Sequence, residues 1–242
     1  MTRTICLIAA LFASASTAMA QGAPEGWQLG AVGVVEASPL IGDDRSLALP
    51  FVAYRSDAFS VGLDGARYTV FDRDGQQFQV IAQPRFPLID EDEPEFSGMS
   101  RDLGLDFGGS FSTSAGRALD ISVTALAGVT SAQTGQEVDL RFSHRISDAP
   151  VSVYAGAQWQ SEALTEYLYG VGADETAAGR PAYAPGAAVT PYIGVNAALP
   201  VGENAAVIGR LEAQQLPDTI TDSPIVDRSV NTRATIGIVF NF

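Results

Sequence analysis

Lysine is absent from this 242-residue sequence: the 14 basic residues are all arginines, set against 28 Asp and Glu for a formal net charge of −14. Binding a phosphate backbone requires a basic stripe, so nucleic acid is excluded as a partner class. Cysteine occurs once, as Cys6, and histidine once, as His144. With Cys6 inside a segment expected to be removed, no disulfide framework, thiol nucleophile or cysteine-based metal site is expected in the remainder. Beyond residue 20 no run has the roughly 20 apolar residues of a transmembrane helix.

The first twenty residues read as a secretory leader. Arg3 gives a positive start, Ile5 to Ala13 a short apolar core, and Ala18-Met19-Ala20 an A-x-A cleavage site that leaves Gln21 first. Residues 21–242 are expected to form one domain, and the pattern within them is period-2 alternation in runs of about ten residues. The clearest run is the final one. Val230, Thr232, Ala234, Ile236, Ile238, Phe240 and Phe242 share a face, Asn231, Arg233, Thr235, Gly237 and Asn241 take the other, and Val239 is an exception. Comparable alternation starts at Leu103, Leu119, Val138, Val151 and Val189, with less regular runs over 27–35, 47–54, 59–71, 77–86 and 205–214.

A soluble sandwich and a membrane barrel both alternate, but they place the faces differently. In a barrel the apolar face meets lipid and the polar face lines the lumen. The runs approach the 9–11 residues that a tilted strand needs to cross the hydrocarbon. Their polar faces carry charges of both signs, including Asp106, Asp139, Arg141, Arg210, Glu212 and Arg233, which few packed cores would hold. The expected fold is therefore all-β: a transmembrane antiparallel barrel of 10–12 strands, twelve preferred. Eleven runs are countable, and an even number requires either a further strand near 86–100 or the loss of one run. Gly65 lies where the apolar parity of 59–71 switches, the place for a bulge or strand break. Short links at 55–57, 114–116, 147–149 and 200–203 suit periplasmic turns. Long ones near 37–45, 87–100, 162–186 and 216–229 suit the extracellular side. Phe240 and Phe242 are the expected assembly signal.

Catalysis finds little to work with. A hydrolytic serine needs a base within hydrogen-bond reach, yet His144 and Ser143 are strand neighbours and point to opposite faces. The acidic run Asp90–Glu95 lacks the spacing and glycine of an EF-hand loop. Arg141, Arg145, Arg210 and Arg233 are expected to pair with Asp102, Asp106, Asp139 and Glu212 and fill the lumen. No catalytic residue, metal site or cofactor is expected.

Several segments resemble the MipA/OmpV family of outer-membrane proteins. Glu166-Tyr167-Leu168-Tyr169-Gly170-Val171, followed by Arg180-Pro181-Ala182-Tyr183 and Gly186, is similar to that family's Tyr-Gly-Val segment with a downstream Pro-x-Tyr. Asp222-Ser223-Pro224-Ile225-Val226 resembles its Asp-Ser-Pro-aliphatic-Val signature, Phe96-Ser97-Gly98-Met99 is a weaker match, and Ser38-Pro39-Leu40-Ile41-Gly42 followed by Leu49-Pro50-Phe51 is similar to its first loop and second strand. Leu40-Ile41 stands where the family usually has a tyrosine. The resemblance implies an outer-membrane scaffold linking a lytic transglycosylase to a peptidoglycan synthase, with adhesion or permeability as other family roles. Outer-membrane lipid and lipopolysaccharide are expected surroundings. Tyr167, Tyr169, Gly170, Tyr183, Asp222, Ser223 and Pro224 become the candidate interaction loops, either as a docking platform or as packing over the barrel mouth. A passive small-solute channel is the alternative function, and a membrane hydrolase is a third.

Overall fold

The computed structural model describes residues 25–89, 93–146 and 149–242. The leader with Cys6, residues 90–92 of the acidic run, and Ser147-Asp148 of one expected turn lie outside the described residues. Twelve strands form one closed antiparallel barrel. They are β1 (Gly26–Ala37), β2 (Asp44–Arg55), β3 (Phe59–Gly62), β4 (Gly65–Arg73), β5 (Gln76–Arg85), β6 (Gly104–Ala115), β7 (Leu119–Gly128), β8 (Gln136–Arg145), β9 (Val151–Gln160), β10 (Ala188–Pro200), β11 (Ala205–Gln215) and β12 (Val230–Asn241). Each pairs with its sequence neighbours, and β1 closes the ring against β12 from Gln28–Asn241 to Ala37–Thr232.

The twelfth strand does not come from residues 86–100, whose described residues carry only a 3-10 turn at Pro94–Phe96. It arises because 59–71 is two strands, with Leu63-Asp64 as the turn between β3 and β4. Gly65 opens β4 at φ +111°, and a Cβ there would come 2.3 Å from the Ala82 carbonyl oxygen, so a side chain is excluded by conformation and by space. A separate register shift falls between Thr69 and Phe71, leaving Val70 as a bulge.

Alternation along the strands sorts the side chains as a membrane barrel requires. On β12, Ile236 is 65% exposed on the outer face and Val239 is 1% exposed on the inner. Exposed apolar residues such as Leu105, Phe107, Phe142, Val153 and Ile193 form the outer band. No helix of the described residues is long and apolar enough to cross a membrane, so the strands do the crossing. They can do so because a closed ladder pairs backbone groups that lipid could not satisfy.

The links that follow β2, β4, β6, β8 and β10 share one rim with the start of β1 and the end of β12, where the Phe242 amide donates to the Trp27 carbonyl at 2.9 Å. The opposite rim carries the four long links, including α1 (Glu162–Tyr169) and α2 (Asp218–Thr221). In outer-membrane barrels the short-turn rim is periplasmic and the long-loop rim extracellular.

Candidate functional site

The long links fold over the extracellular mouth as a single cap with its own apolar core. Leu40 comes from the first link, Phe96 and Met99 from the second, Leu164, Tyr167, Leu168 and Tyr169 from α1, and Ile220, Ile225 and Val226 from the last. All are buried, and Phe96, Met99, Leu164 and Ile225 are only 1% exposed. α1 begins after Ser161, whose backbone is extended, and Leu164 with Leu168 and Thr165 with Tyr169, each pair four residues apart, are buried on its inner side. Tyr169 lies within electrostatic reach of Glu36 on β1, Arg233 on β12, Glu137 on β8 and Arg85 on β5. Those strands stand around the ring, so the end of α1 sits across the barrel axis.

Hydrogen bonds lock the links to one another. Arg101 donates through Nε to the Tyr167 carbonyl and through Nη2 to the Gly170 carbonyl, both at 3.0 Å, and pairs with the Glu175 carboxylate. That pairing holds Glu175 below the usual glutamate range, with Arg101 the largest cause. Arg180 reaches the Glu95 carbonyl at 2.6 Å and the Ser97 carbonyl at 2.8 Å. Tyr167 donates to the Asp102 carbonyl at 2.7 Å, and burial pushes its phenol up to about 12. Ser223 Oγ donates to the Tyr169 carbonyl at 2.6 Å, and Tyr183 donates to the Thr219 carbonyl at 2.9 Å. A short ladder of two backbone bonds joins Val171 to Tyr183, and the Ile41 amide donates to Ile225.

The candidate loop residues are therefore brought together, but not as one outward face. Tyr167, Tyr169, Gly170 and Ser223 are buried, Tyr183 and Pro224 are half-buried, and only Asp222 is exposed. The loop segments that carry the family resemblance, including Ser38–Gly42 and Phe96–Met99, lie in the cap, while Leu49-Pro50-Phe51 lies in the wall on β2. What the cap shows to solvent is a set of plain loop residues, among them Glu162, Glu166, Ala173, Asp174, Ala178, Pro181 and Asp218.

Below the cap the lumen is filled from two sides. On the β8–β11 side Arg141 lies over the rings of Tyr154 and Tyr192, 4.5 and 5.3 Å from their centroids. Tyr192 donates to Asp139 at 2.7 Å and Tyr154 to Glu212 at 2.9 Å, while Arg210 pairs with Glu212. The two rings fit because they lie over Gly156 and Gly194, where any Cβ would come within 2.4 Å of a ring atom or hydroxyl. Higher up, Arg85 bridges Asp106 and Glu137 at 2.5 and 3.1 Å, and Arg233 meets Glu36 at 2.6 Å. The partners differ in part from those expected. Asp102 is exposed in the cap and not in the wall, Arg233 pairs with Glu36, and Arg145 pairs with Asp120.

The other side of the lumen is apolar, which the sequence reading missed. Val32, Val34 and Leu49 are buried together with Leu47, Phe51, Leu63 and Ile208 against them. The signal was present as Val239, the lone apolar residue on the polar face of β12, and as the irregular runs at 27–35 and 47–54. Toward the periplasmic rim the lumen widens into a cavity of about 510 Å³ lined largely by Ser, Thr and Gln, with Asp72, Asp120 and Arg145 among them. Ser143 lines this cavity, while His144 is exposed one residue further along β8. No group of three or more potential metal ligands occurs among the described residues.

A closed twelve-strand barrel with lipid-facing alternation, capped outside and open toward its short-turn rim, defines an outer-membrane β-barrel protein. Comparison with known proteins narrows the class. The profile of the family described as MltA-interacting protein MipA matches residues 29–242, and the chain belongs to that family. The MltA-interacting protein of Escherichia coli (strain K12) is 29% identical over 247 residues, covering 95% of this chain and 94% of that one. YiaT of the same strain, described as an outer membrane protein, is 24% identical over 231 residues, covering 93% and 94%. Among solved structures, the NanC porin aligns over 88% of this chain and all of its own, with a TM-score of 0.48 and 10% identity.

Proposed function

We propose that this protein is a non-conducting envelope scaffold that holds peptidoglycan-processing machinery at the inner face of the outer membrane. The observation that carries the reading is the asymmetry of the two mouths. The extracellular mouth is covered by a cap with its own buried core, while the periplasmic mouth opens on a wide polar vestibule rimmed by short turns. A pore would need a path through both. The family relative named for its interaction with MltA supports a lytic transglycosylase as one partner, and a synthase would be the second. Such partners work in the periplasm, so the short-turn rim, and not the cap, is the surface on which they would dock.

Photo-crosslinking residues at Ser56, Arg117 and Gly202 on the short turns, and at Ala178 and Thr219 on the cap, test this in intact envelopes. The scaffold reading expects adducts with murein enzymes from the turns and none from the cap. Adducts from the cap alone, or from neither, would reject it. The runner-up is a passive channel, favoured by the size of the vestibule. It requires steady ohmic steps from the purified barrel in a planar bilayer, where the scaffold reading expects none.

A further inference from the structure

The barrel wall is not uniformly tall. β2 pairs with β1 over all of 44–55, but with β3 only at 53–55. β5 pairs with β6 up to Arg85, but with β4 only as far as Ala82. The β3–β4 hairpin that stands between them ends at Leu63-Asp64. Above that turn β2 and β5 face each other with no strand of the described residues between. At the hairpin they are three strand spacings apart, about 14 Å. Toward the extracellular rim Arg45 of β2 closes the frame by donating to the Leu88 carbonyl.

An unpaired strand edge at membrane depth is costly unless something is arranged for it. The hydrogen-bonding phase of β2 follows from its hairpin, where the Ser56 amide donates to Phe59. By the alternation of antiparallel ladders, the even residues of β2 direct their backbone groups toward the gap, and Pro50 is one of them. The same argument from the Ser114 amide to the Gly75 carbonyl gives the even residues of β5 the gap side, and Pro84 is one of those. Each edge thus carries a proline at a position whose missing N–H would have pointed into the gap. Prolines so placed deny a ladder to any added strand, which argues against a partner strand as the occupant.

Behind the gap the lumen is apolar where the rest is charged. Leu47, Leu49 and Phe51 point inward from β2, and Leu49 is buried against Val32 and Val34. Leu47, Phe51 and Leu63 remain only half-buried although they face the interior. A small cavity of about 60 Å³ lies below them, bounded by Phe51, Leu63 and Val239 but also by Arg55, Asp64 and Arg67, so the apolar strip gives way to charge at that level. The window opens through the half of the wall nearer the capped rim, where the surroundings are the outer leaflet. We infer that the gap between β2 and β5 is a lateral window through which an acyl chain of an outer-leaflet lipid enters and rests on the luminal apolar strip. The inference is independent of the scaffold reading.

The test places a fluorophore on each side of the wall. In a Trp27→Phe, Trp159→Phe background, Phe51→Trp faces the lumen and Val52→Trp faces lipid. The refolded barrel goes into phosphatidylcholine vesicles with or without bromine at mid-chain. Tryptophan at 52 is quenched in any case. The window expects tryptophan at 51 to be quenched by brominated chains at least half as strongly, and to be insensitive to aqueous iodide. Leu49→Trp, deeper in the strip and unable to swing outward, is expected to behave as 51 does. Quenching of 49 and 51 by iodide and not bromine means a water-filled lumen and overturns the inference. Protection from both quenchers means the space is filled by protein, including a second copy, and overturns it equally. Should the substituted barrels not fold, native mass spectrometry of the unmodified protein released from detergent decides: one retained acyl-bearing lipid supports the window, and none rejects it.

Discussion

At the residue scale the cap depends on two arginines that do more than neutralise acids. Arg101, from the second link, satisfies two backbone carbonyls near the end of α1 and the Glu175 carboxylate of the same link as α1. Truncating it leaves those acceptors without a donor. Arg101→Ala is therefore expected to cost about 2 kcal/mol and to expose the 162–186 link to chymotrypsin at Tyr167 and Tyr169, both 7% exposed in the native cap. Glu175 adds a pH dependence with a definite sign. Its folded pKa is depressed by Arg101, so its contribution is complete above the ordinary glutamate value of 4.5 and is lost as pH falls through the lower folded value. Amide exchange in 171–183 is expected to accelerate below pH 4.5, and Glu175→Gln is expected to flatten that profile. In the lumen, Gly156→Ala would drive Tyr192 off its seat beside Arg141. Overpacking of this kind costs about 1–3 kcal/mol and should appear as a lower temperature for the heat-modifiable gel shift.

At the element scale the alternation makes neighbouring substitutions opposite in effect. Ile121 points outward from β7, while Thr124 points inward and donates to Ser110 Oγ at 2.9 Å. Val123→Arg, at the middle of the same outward face, is expected to cost about 2–4 kcal/mol, Ile121→Arg less because it lies toward the periplasmic end of β7, and Thr124→Arg clearly less than Val123→Arg, measured by folding into liposomes. Reversed costs would mean the facing of β7 is wrong. The strand faces were legible in the sequence because lipid demands an unbroken apolar period on one side. The β3–β4 break was legible only as a parity switch at Gly65, since a two-residue turn leaves too little composition to announce itself. The apolar strip was hidden for a different reason. Where β1 and β2 are apolar on both faces, with Val32 and Val34 beside Ala31 and Val35, periodicity has no contrast to report. α1 was concealed by its tyrosines: Tyr167 and Tyr169, two apart, drew attention as aromatics, while the helical spacing lay in the less conspicuous pairs Leu164–Leu168 and Thr165–Tyr169. Which arginine meets which acid depends on register and tilt around the whole ring, and no local pattern encodes that.

At the scale of the whole molecule, cap, lumen filling and vestibule divide the barrel into a sealed outer half and an accessible inner half. Replacing 162–186 and 216–229 with short turns is expected to leave assembly intact, because the ladders do not depend on them, yet to turn the barrel, electrically silent on the scaffold reading, into one with measurable conductance. Persistent silence would assign the seal to the luminal side chains instead. Epitope tags at Ala178 and Thr219, accessible on whole cells, would check the orientation on which this division rests. Phe240 and Phe242 belong to this scale as well, since they stand on the strand that completes the ring. Deleting Phe240 to Phe242 is expected to leave unfolded material in the periplasm and no heat-modifiable band.

That closing seam also sets a timetable. Gln28 and Asn241 are hydrogen-bonded across 213 positions of sequence, so the ends of the chain meet each other and no intermediate can be a finished ring. Every other hairpin can zip as soon as its two strands exist, but β1 must wait for β12. Until then the chain carries an open edge at each end, the state in which sticky strands find the wrong partners. The slow, error-prone moment in the life of this protein is therefore its last join. A single break in the backbone elsewhere, with the two ends tied together, would move that moment without changing the finished barrel.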